Sequence, residues 1–390
     1  MKKIPVNRNL DSLKPSGIRK FFDIANEMKD VISLSIGEPD FQTPWHIRQA
    51  GIQAAEEGKT WYSPSMGFLA LREEISSYLQ RRFDLHYSPK SEVLVTVGAS
   101  EAIDTIFRAL INEGDEVLVI QPSFVCYDPL IRMSGGIPVI LETKAENKFK
   151  LTANELKNKI TPKTRMLVIS FPTNPTGAIM EKEELEALAE VLRDTEILVL
   201  SDEIYCELNY TEKSHVSIAS LPEMRERTIL VNGFSKSYAM TGWRIGYTCA
   251  PVEIIEQLTK IHQYMVMCAP TISQYAAIEA MKHGDEDVKR MRNEYNMRRR
   301  YLVDRLNAMG LNYFEPEGAF YAFPCIRSTG LTSEEFCEKL IYSKQVAVVP
   351  GTAFGDCGEG FIRISYSYSL KHITEAMNRM ESFLNELKHE

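Results

Sequence analysis

A series of short, continuously apolar runs, each followed by a stretch of helical character, restricts this chain more than any other feature. Glu92-Val-Leu-Val-Thr-Val97, Glu116-Val-Leu-Val-Ile120, Arg165-Met-Leu-Val-Ile-Ser170, Ile197-Leu-Val-Leu-Ser201, Thr228-Ile-Leu-Val231 and Ile245-Gly-Tyr-Thr-Cys249 are too short for helices and apolar at consecutive positions. A strand that shows no polar face is covered on both sides, which is the condition of a parallel sheet flanked by helices. Helical segments at about 99–111 and 181–192 fall between the runs. The expected architecture is therefore α/β, a mostly parallel sheet sandwiched by helices. With 390 residues the chain has room for such a domain and a smaller α+β one.

The pattern changes near residue 285, where a long charged helix is expected over about 287–309, with Arg298-Arg-Arg300 as a solvated face. Short strands follow around Ala319-Phe-Tyr-Ala-Phe323, Val346-Ala-Val-Val349 and Gly360-Phe-Ile-Arg-Ile-Ser365, then a terminal helix from about 370. Upstream, Val31-Ile-Ser-Leu-Ser-Ile36 ends at the turn Gly37-Glu-Pro-Asp40. The expected division is residues 1–45 as an N-terminal arm and part of the small domain, 46–284 as the large domain and 285–390 as the small C-terminal domain. No internal repeat or low-complexity linker interrupts it.

A net charge of -8 without a basic block argues against a nucleic-acid partner. No apolar run approaches the roughly 20 residues of a membrane span, and Met1-Lys-Lys-Ile-Pro-Val lacks the apolar core of a secretion signal. The seven cysteines include no Cys-x-x-Cys pair and the seven histidines show no ligand spacing. A reduced, cytoplasmic protein without a metal site is expected, its histidines structural or solvated.

Polar residues cluster just past the apolar runs, where open α/β sheets bind ligands. Beyond Thr228-Ile-Leu-Val231 comes Ser235-Lys236, with Gly242-Trp-Arg244 one short loop later. A lysine amine can form a Schiff base with an aldehyde, while a hydroxyl and a guanidinium hold a phosphate; together they suit pyridoxal 5'-phosphate. Asp202 follows the fourth run in Ser201-Asp-Glu-Ile-Tyr205, and Asn174 lies between two prolines in Phe171-Pro-Thr-Asn-Pro-Thr-Gly177. Val97-Gly-Ala-Ser-Glu-Ala102 opens a helix directly after a strand, so the amides of Ala99 and Ser100 would face an anion.

The lysine segment Ser235-Lys-Ser-Tyr-Ala-Met-Thr-Gly242, in this order with the asparagine and aspartate segments, resembles the class I/II aminotransferases of fold type I, over about residues 17–365. The resemblance implies pyridoxal phosphate as cofactor and a catalytic set of Lys236, Asp202 and Tyr205. Lys236 would carry the cofactor and move protons, Asp202 would hold its ring nitrogen protonated, and Tyr205 and Asn174 would meet its phenolic oxygen. Phe124, in Gln121-Pro-Ser-Phe-Val-Cys-Tyr127, would stack on the ring, and Ser235, Arg244, Ser100 and Ala99 would bind the phosphate. Tyr62 would reach the phosphate of a second subunit, which implies a homodimer with shared active sites. On the substrate side the resemblance assigns Arg363 to the α-carboxylate, helped by Asn174 and the backbone of Gly37, with Ile18 closing over the substrate.

The substrates implied are an L-amino acid and a 2-oxo acid such as 2-oxoglutarate. The pattern is closest to the bacterial aspartate, aromatic and N-acetyl-diaminopimelate aminotransferase subgroup. In one similar bacterial subgroup a lysine stands where Ser100 stands here, which weighs against strict aspartate specificity. A C–S lyase of the same fold would use the same lysine, aspartate and arginine. A cofactor-binding transcriptional regulator would need a DNA-binding module, and the resemblance begins within the first 20 residues.

Overall fold

The computed structural model describes residues 30–311 and 314–388, together with Leu10, Leu13, Gly17, Ile24 and Met28. After β1 (Ile32–Ser33), the chain lays down β2 (Val93–Thr96), β3 (Glu116–Gln121), β4 (Ile137–Glu142), β5 (Thr164–Ser170), β6 (Leu198–Asp202), β7 (Thr228–Gly233) and β8 (Gly246–Cys249). These last seven form one sheet in the order β2-β8-β7-β6-β5-β3-β4. All run in one direction except β8, which is antiparallel to both β2 and β7. The carboxyl ends of the other six strands therefore share one edge, and β8 begins where they end.

The apolar runs became strands because both faces are covered. Leu118, Leu167 and Val199 pack on one side with Leu185, Leu188 and Leu192 of the Lys182–Leu192 helix. Val117, Met166 and Leu200 pack on the other with Ala102, Ile106 and Phe107 of the Gly98–Leu110 helix. The spacing of those helical residues puts them on one stripe. The Lys182–Leu192 helix starts with a capping box in which Glu181 and Glu184 exchange bonds with each other's backbone.

Two small sheets complete the strands. β9 (Tyr321–Ala322), β11 (Val349–Pro350) and β12 (Ile362–Ser365) pair antiparallel in the order β11-β12-β9, and β1 pairs parallel with β10 (Val346–Ala347). The apolar run at 346–349 is thus divided between two sheets. Leu34, Met291, Leu302, Phe336, Ile362 and Met377 belong to one buried cluster, which joins the N-terminal strand to the Asp285–Ala308 and Leu370–Leu387 helices.

The triple arginine is not a solvated face. Arg298 and Arg299 are buried and only Arg300 is exposed. Arg298 donates to Asp40 at 2.7 Å and to Glu294 at 3.1 Å; Arg299 donates to Glu315 at 2.8 Å and to the Pro316 carbonyl at 3.0 Å. Long aliphatic stems let these residues cover core while their heads find partners, so charge alone misplaced them.

Candidate active site

A cavity of about 330 Å³ opens where the strand ends meet the small antiparallel sheet. Lys236, Asp202, Tyr205, Asn174, Arg363, Gly37, Phe124, Ser235, Arg244, Ala99 and Ser100 all line it. Of the residues singled out in the sequence, Tyr62 stands apart, 76 % exposed and outside the lining. Ile18 lies outside the described residues.

Lys236 sits in the turn after β7, and its Nζ donates to the Gly37 carbonyl at 2.5 Å. Burial is the main cause that pushes the amine down to about 8; Glu38 opposes the shift, and the guanidinium charges of Arg363 and Arg244 add to it. A large fraction of this amine is therefore neutral at mildly alkaline pH.

Asp202 closes β6 and is 4 % exposed. Its Oδ2 accepts from the Tyr127 hydroxyl at 2.7 Å and its Oδ1 from the Ile204 N–H at 3.2 Å. Burial raises its carboxyl to about 6 despite those two bonds, which favour the ionised form. Near neutral pH it is an anion at the cavity wall.

Arg363 is a cation in the interior, 1 % exposed on β12. Nη1 donates to Asn174 Oδ1 at 3.0 Å and Nη2 donates to the Ser35 carbonyl, while Nε has no partner. The rings of Tyr321 and Phe354 lie 4.6 and 4.8 Å from its central carbon. No carboxylate among the described residues pairs with it. An interior cation left in this state carries a desolvation cost of several kcal/mol, which an anionic ligand in the cavity would offset.

Another part of the cavity wall, the phosphate end, is built from the start of the Gly98–Leu110 helix. Its N-terminal residue Gly98 has φ +76°, and a Cβ there would lie 2.7 Å from Nη2 of Arg244. Arg244, just before β8, donates through Nη1 to the Thr241 carbonyl at 3.0 Å. The reversed direction of β8 is what brings this arginine to the edge that holds the strand ends. The amides of Ala99 and Ser100, the hydroxyl of Ser235 and this guanidinium form a set of donors suited to a phosphate.

Two side chains at the site escaped the sequence reading. Tyr127 supports Asp202, and it lies one turn beyond Phe124, whose ring it meets edge-on at 6.1 Å. Tyr321 bonds Tyr205 through their hydroxyls at 2.7 Å and packs against Arg363. A Cβ on Gly37 would collide with the Tyr321 hydroxyl, so any larger residue there would have to displace that phenol. The one available signal was a phenol inside the apolar run 319–323.

An amine, a carboxylate, a lone guanidinium and a phosphate cradle in one cavity match the needs of a phosphorylated aldehyde cofactor and an anionic substrate. The sequence model of the aminotransferase class I and II family matches residues 29–380. The chain belongs to the class I and II aminotransferases. Among its relatives, an aspartate aminotransferase of Pyrococcus abyssi is 47 % identical over 381 residues, 97 % of this chain and 98 % of its own. Aromatic-amino-acid aminotransferase 2 of Thermococcus litoralis is 44 % identical over 381 residues, with the same shares of each chain. The solved structure of the Thermus thermophilus aspartate aminotransferase with maleate superposes with a TM-score of 0.93 at 36 % identity, over 97 % of this chain and 100 % of that one. This aminotransferase is thus a fold-type I, pyridoxal-phosphate-dependent enzyme with a mostly parallel central sheet.

Proposed function

We propose that the enzyme moves the amino group of an L-amino acid to a 2-oxo acid such as 2-oxoglutarate, with pyridoxal 5'-phosphate held in the cavity described above. The observation that carries this reading is the meeting of Lys236 and Arg363, a cation with no carboxylate partner among the described residues, in one cavity. When bound, the cofactor supplies a carbonyl for amine exchange and a ring that draws electrons from the substrate Cα.

Arg363 receives the substrate α-carboxylate through its fork of N–H groups, and Asn174, already bonded to Nη1, fixes its orientation. Lys236 is half-buried and its amine part neutral, so its Nζ could take a proton from the substrate Cα and return one on the opposite leg of the transfer. Asp202 stays ionised near neutral pH and would hold the cofactor's ring nitrogen in its protonated form, with Tyr127 keeping one carboxylate oxygen in place. Tyr205 and Asn174 serve the phenolic oxygen and Phe124 the ring face. Ser235, Arg244 and the amides of Ala99 and Ser100 take the phosphate.

The cavity wall also carries Ile36, Ile103 and Glu38. Together with Ser100 in place of a cation, these favour an aromatic or other uncharged side chain over a strict preference for aspartate. Tyr62, Trp61 and Tyr264 are 76 %, 60 % and 95 % exposed, aromatic surface that supports a homodimer in which Tyr62 completes the phosphate site of a second subunit. We divide the chain into an arm at 1–45, a large domain at 46–284 and a small one at 285–390, which makes the cavity a cleft between domains. None of the seven cysteines forms a disulfide, in keeping with a cytoplasmic enzyme.

The absorbance spectrum tests the reading. The purified protein loaded with cofactor should lose its visible band on addition of L-glutamate alone and regain it with a 2-oxo acid. A band that survives every amino acid tried, or no band at all, defeats the proposal.

A further inference from the structure

The helix whose start forms the phosphate end has no capping side chain, because Val97 precedes it. A Ser, Thr, Asp or Asn at that place would bond the N–H groups two or three residues on, which here are those of Ala99 and Ser100. The chain satisfies its turn by another route. Glu101, one turn inside the helix, reaches back so that Oε2 accepts the Val97 N–H at 2.5 Å. Oε1 bonds Nδ1 of His262 at 2.7 Å. Both residues are buried, His262 completely, and neither lines the cavity.

His262 belongs to the Val252–Met265 helix, and its Nε2 has no partner. A proton on that nitrogen would be a buried donor with nothing to receive it, so the ring carries its hydrogen on Nδ1 and donates it to Glu101. Both oxygens of the carboxylate are then engaged by donors that lie outside the cavity. The surrounding turn has no slack. A Cβ on Gly246 would lie 2.7 Å from the Ala99 nitrogen, and one on Gly98 would lie 2.7 Å from Arg244.

We infer that Glu101 and His262 are positioning residues for the cofactor phosphate. They hold the turn from β2 into the helix by satisfying Val97, and so leave the amides of Ala99 and Ser100 to the ligand. Without His262 the carboxylate loses a charge-assisted hydrogen bond and is free to swing toward those same amides, where it competes with the phosphate as an anion. This inference rests on the proposed seat of pyridoxal phosphate.

The experiment compares two ligands that differ only in the phosphate. Dissociation constants of the cofactor-free protein for pyridoxal 5'-phosphate and for pyridoxal are measured by absorbance titration in the wild type, Glu101→Leu, His262→Leu and His262→Asn. The leucine variants should lose about tenfold to a hundredfold in affinity for the phosphorylated ligand, the range of one charge-assisted hydrogen bond, with pyridoxal binding within about twofold of wild type. His262→Asn keeps a donor near the Nδ1 position and should recover most of the loss. Equal weakening of both ligands, or no weakening of either, overturns the inference. If a leucine variant does not fold, Glu101→Gln retains the volume and one acceptor, and a loss confined to pyridoxal phosphate is required of it too. A wild type with no preference for the phosphorylated ligand refutes the phosphate seat itself, a different failure from a preference that the variants leave intact.

Discussion

Replacing Asp202 by Asn should strengthen the empty protein and cripple the loaded one. The carboxyl titrates at about 6 in the folded chain against 3.8 for an ordinary Asp, so the ionised form costs about 3 kcal/mol of folding stability at neutral pH. The sign follows from the folded value lying above the unfolded one. The cost is complete above pH 6, shrinks as pH falls through 6, and vanishes below 3.8. Asn removes the charge while Oδ1 keeps the Ile204 N–H, and the Tyr127 hydroxyl can turn from donor to acceptor. Unfolding entropy of about 2 cal/mol/K per residue over a chain of this length converts the gain to roughly 2–4 °C. Thermal unfolding of cofactor-free wild type and variant at pH 8 and pH 5 should show that gap at pH 8 and about half of it at pH 5. A variant that melts below wild type at pH 8, or a gap indifferent to pH, would refute the reasoning. After reconstitution the same substitution leaves the ring nitrogen without its anion, and transamination should fall by two orders of magnitude or so.

Lys236, pushed down to about 8, is roughly half neutral at pH 8, whereas an ordinary lysine is neutral well under one part in a hundred. An amine acylating reagent applied at that pH to cofactor-free protein should modify Lys236 ahead of the surface lysines by peptide mass spectrometry, and uniform labelling would contradict the burial argument. Arg363→Lys replaces a planar fork with a point charge and should raise the KM for the amino donor by about tenfold or more; an unchanged KM would separate Arg363 from the carboxylate. Gly98→Ala puts a side chain at φ +76° and 2.7 Å from Arg244. It should cost about 1 kcal/mol or more of stability and speed the loss of cofactor on dialysis, and a variant that keeps cofactor as well as wild type speaks against the cradle.

Where apolar pattern alone decides structure, the sequence was sufficient. The runs at 92–97, 116–120, 165–170, 197–201 and 228–231 all became strands of the large sheet, and the helix expected at about 99–111 is Gly98–Leu110. β4 went unseen because a proline stands second in the apolar stretch Ile137-Pro-Val-Ile-Leu141 and argues against a strand, a residue tolerated here because β4 is a partly exposed edge strand. The split at 346–349 depends on which distant strand each pair of residues meets, something a local window does not contain. At the site, residues marked by an unusual neighbour were legible, such as Lys236 beside Ser235 or Asn174 between prolines. Tyr127, Tyr321 and Glu101 have ordinary neighbours, and their roles arise from partners 75, 116 and 161 residues away.

The division of labour around the cavity bears on how such an enzyme changes over generations. Asp202 and Ser235 are buried at strand ends of a sheet covered on both faces, with Lys236 beside them, so a mutation there disturbs the core as well as the cavity. The side chains of Ile36 and Ser100 are partly or fully exposed on the same wall and belong to none of the buried clusters. Under the proposed function, an exchange costs little at such exposed side chains and much at those packed into the core. On that reading, a preference for one amino acid over another can shift through a few exchanges at the rim without disturbing the buried frame below it.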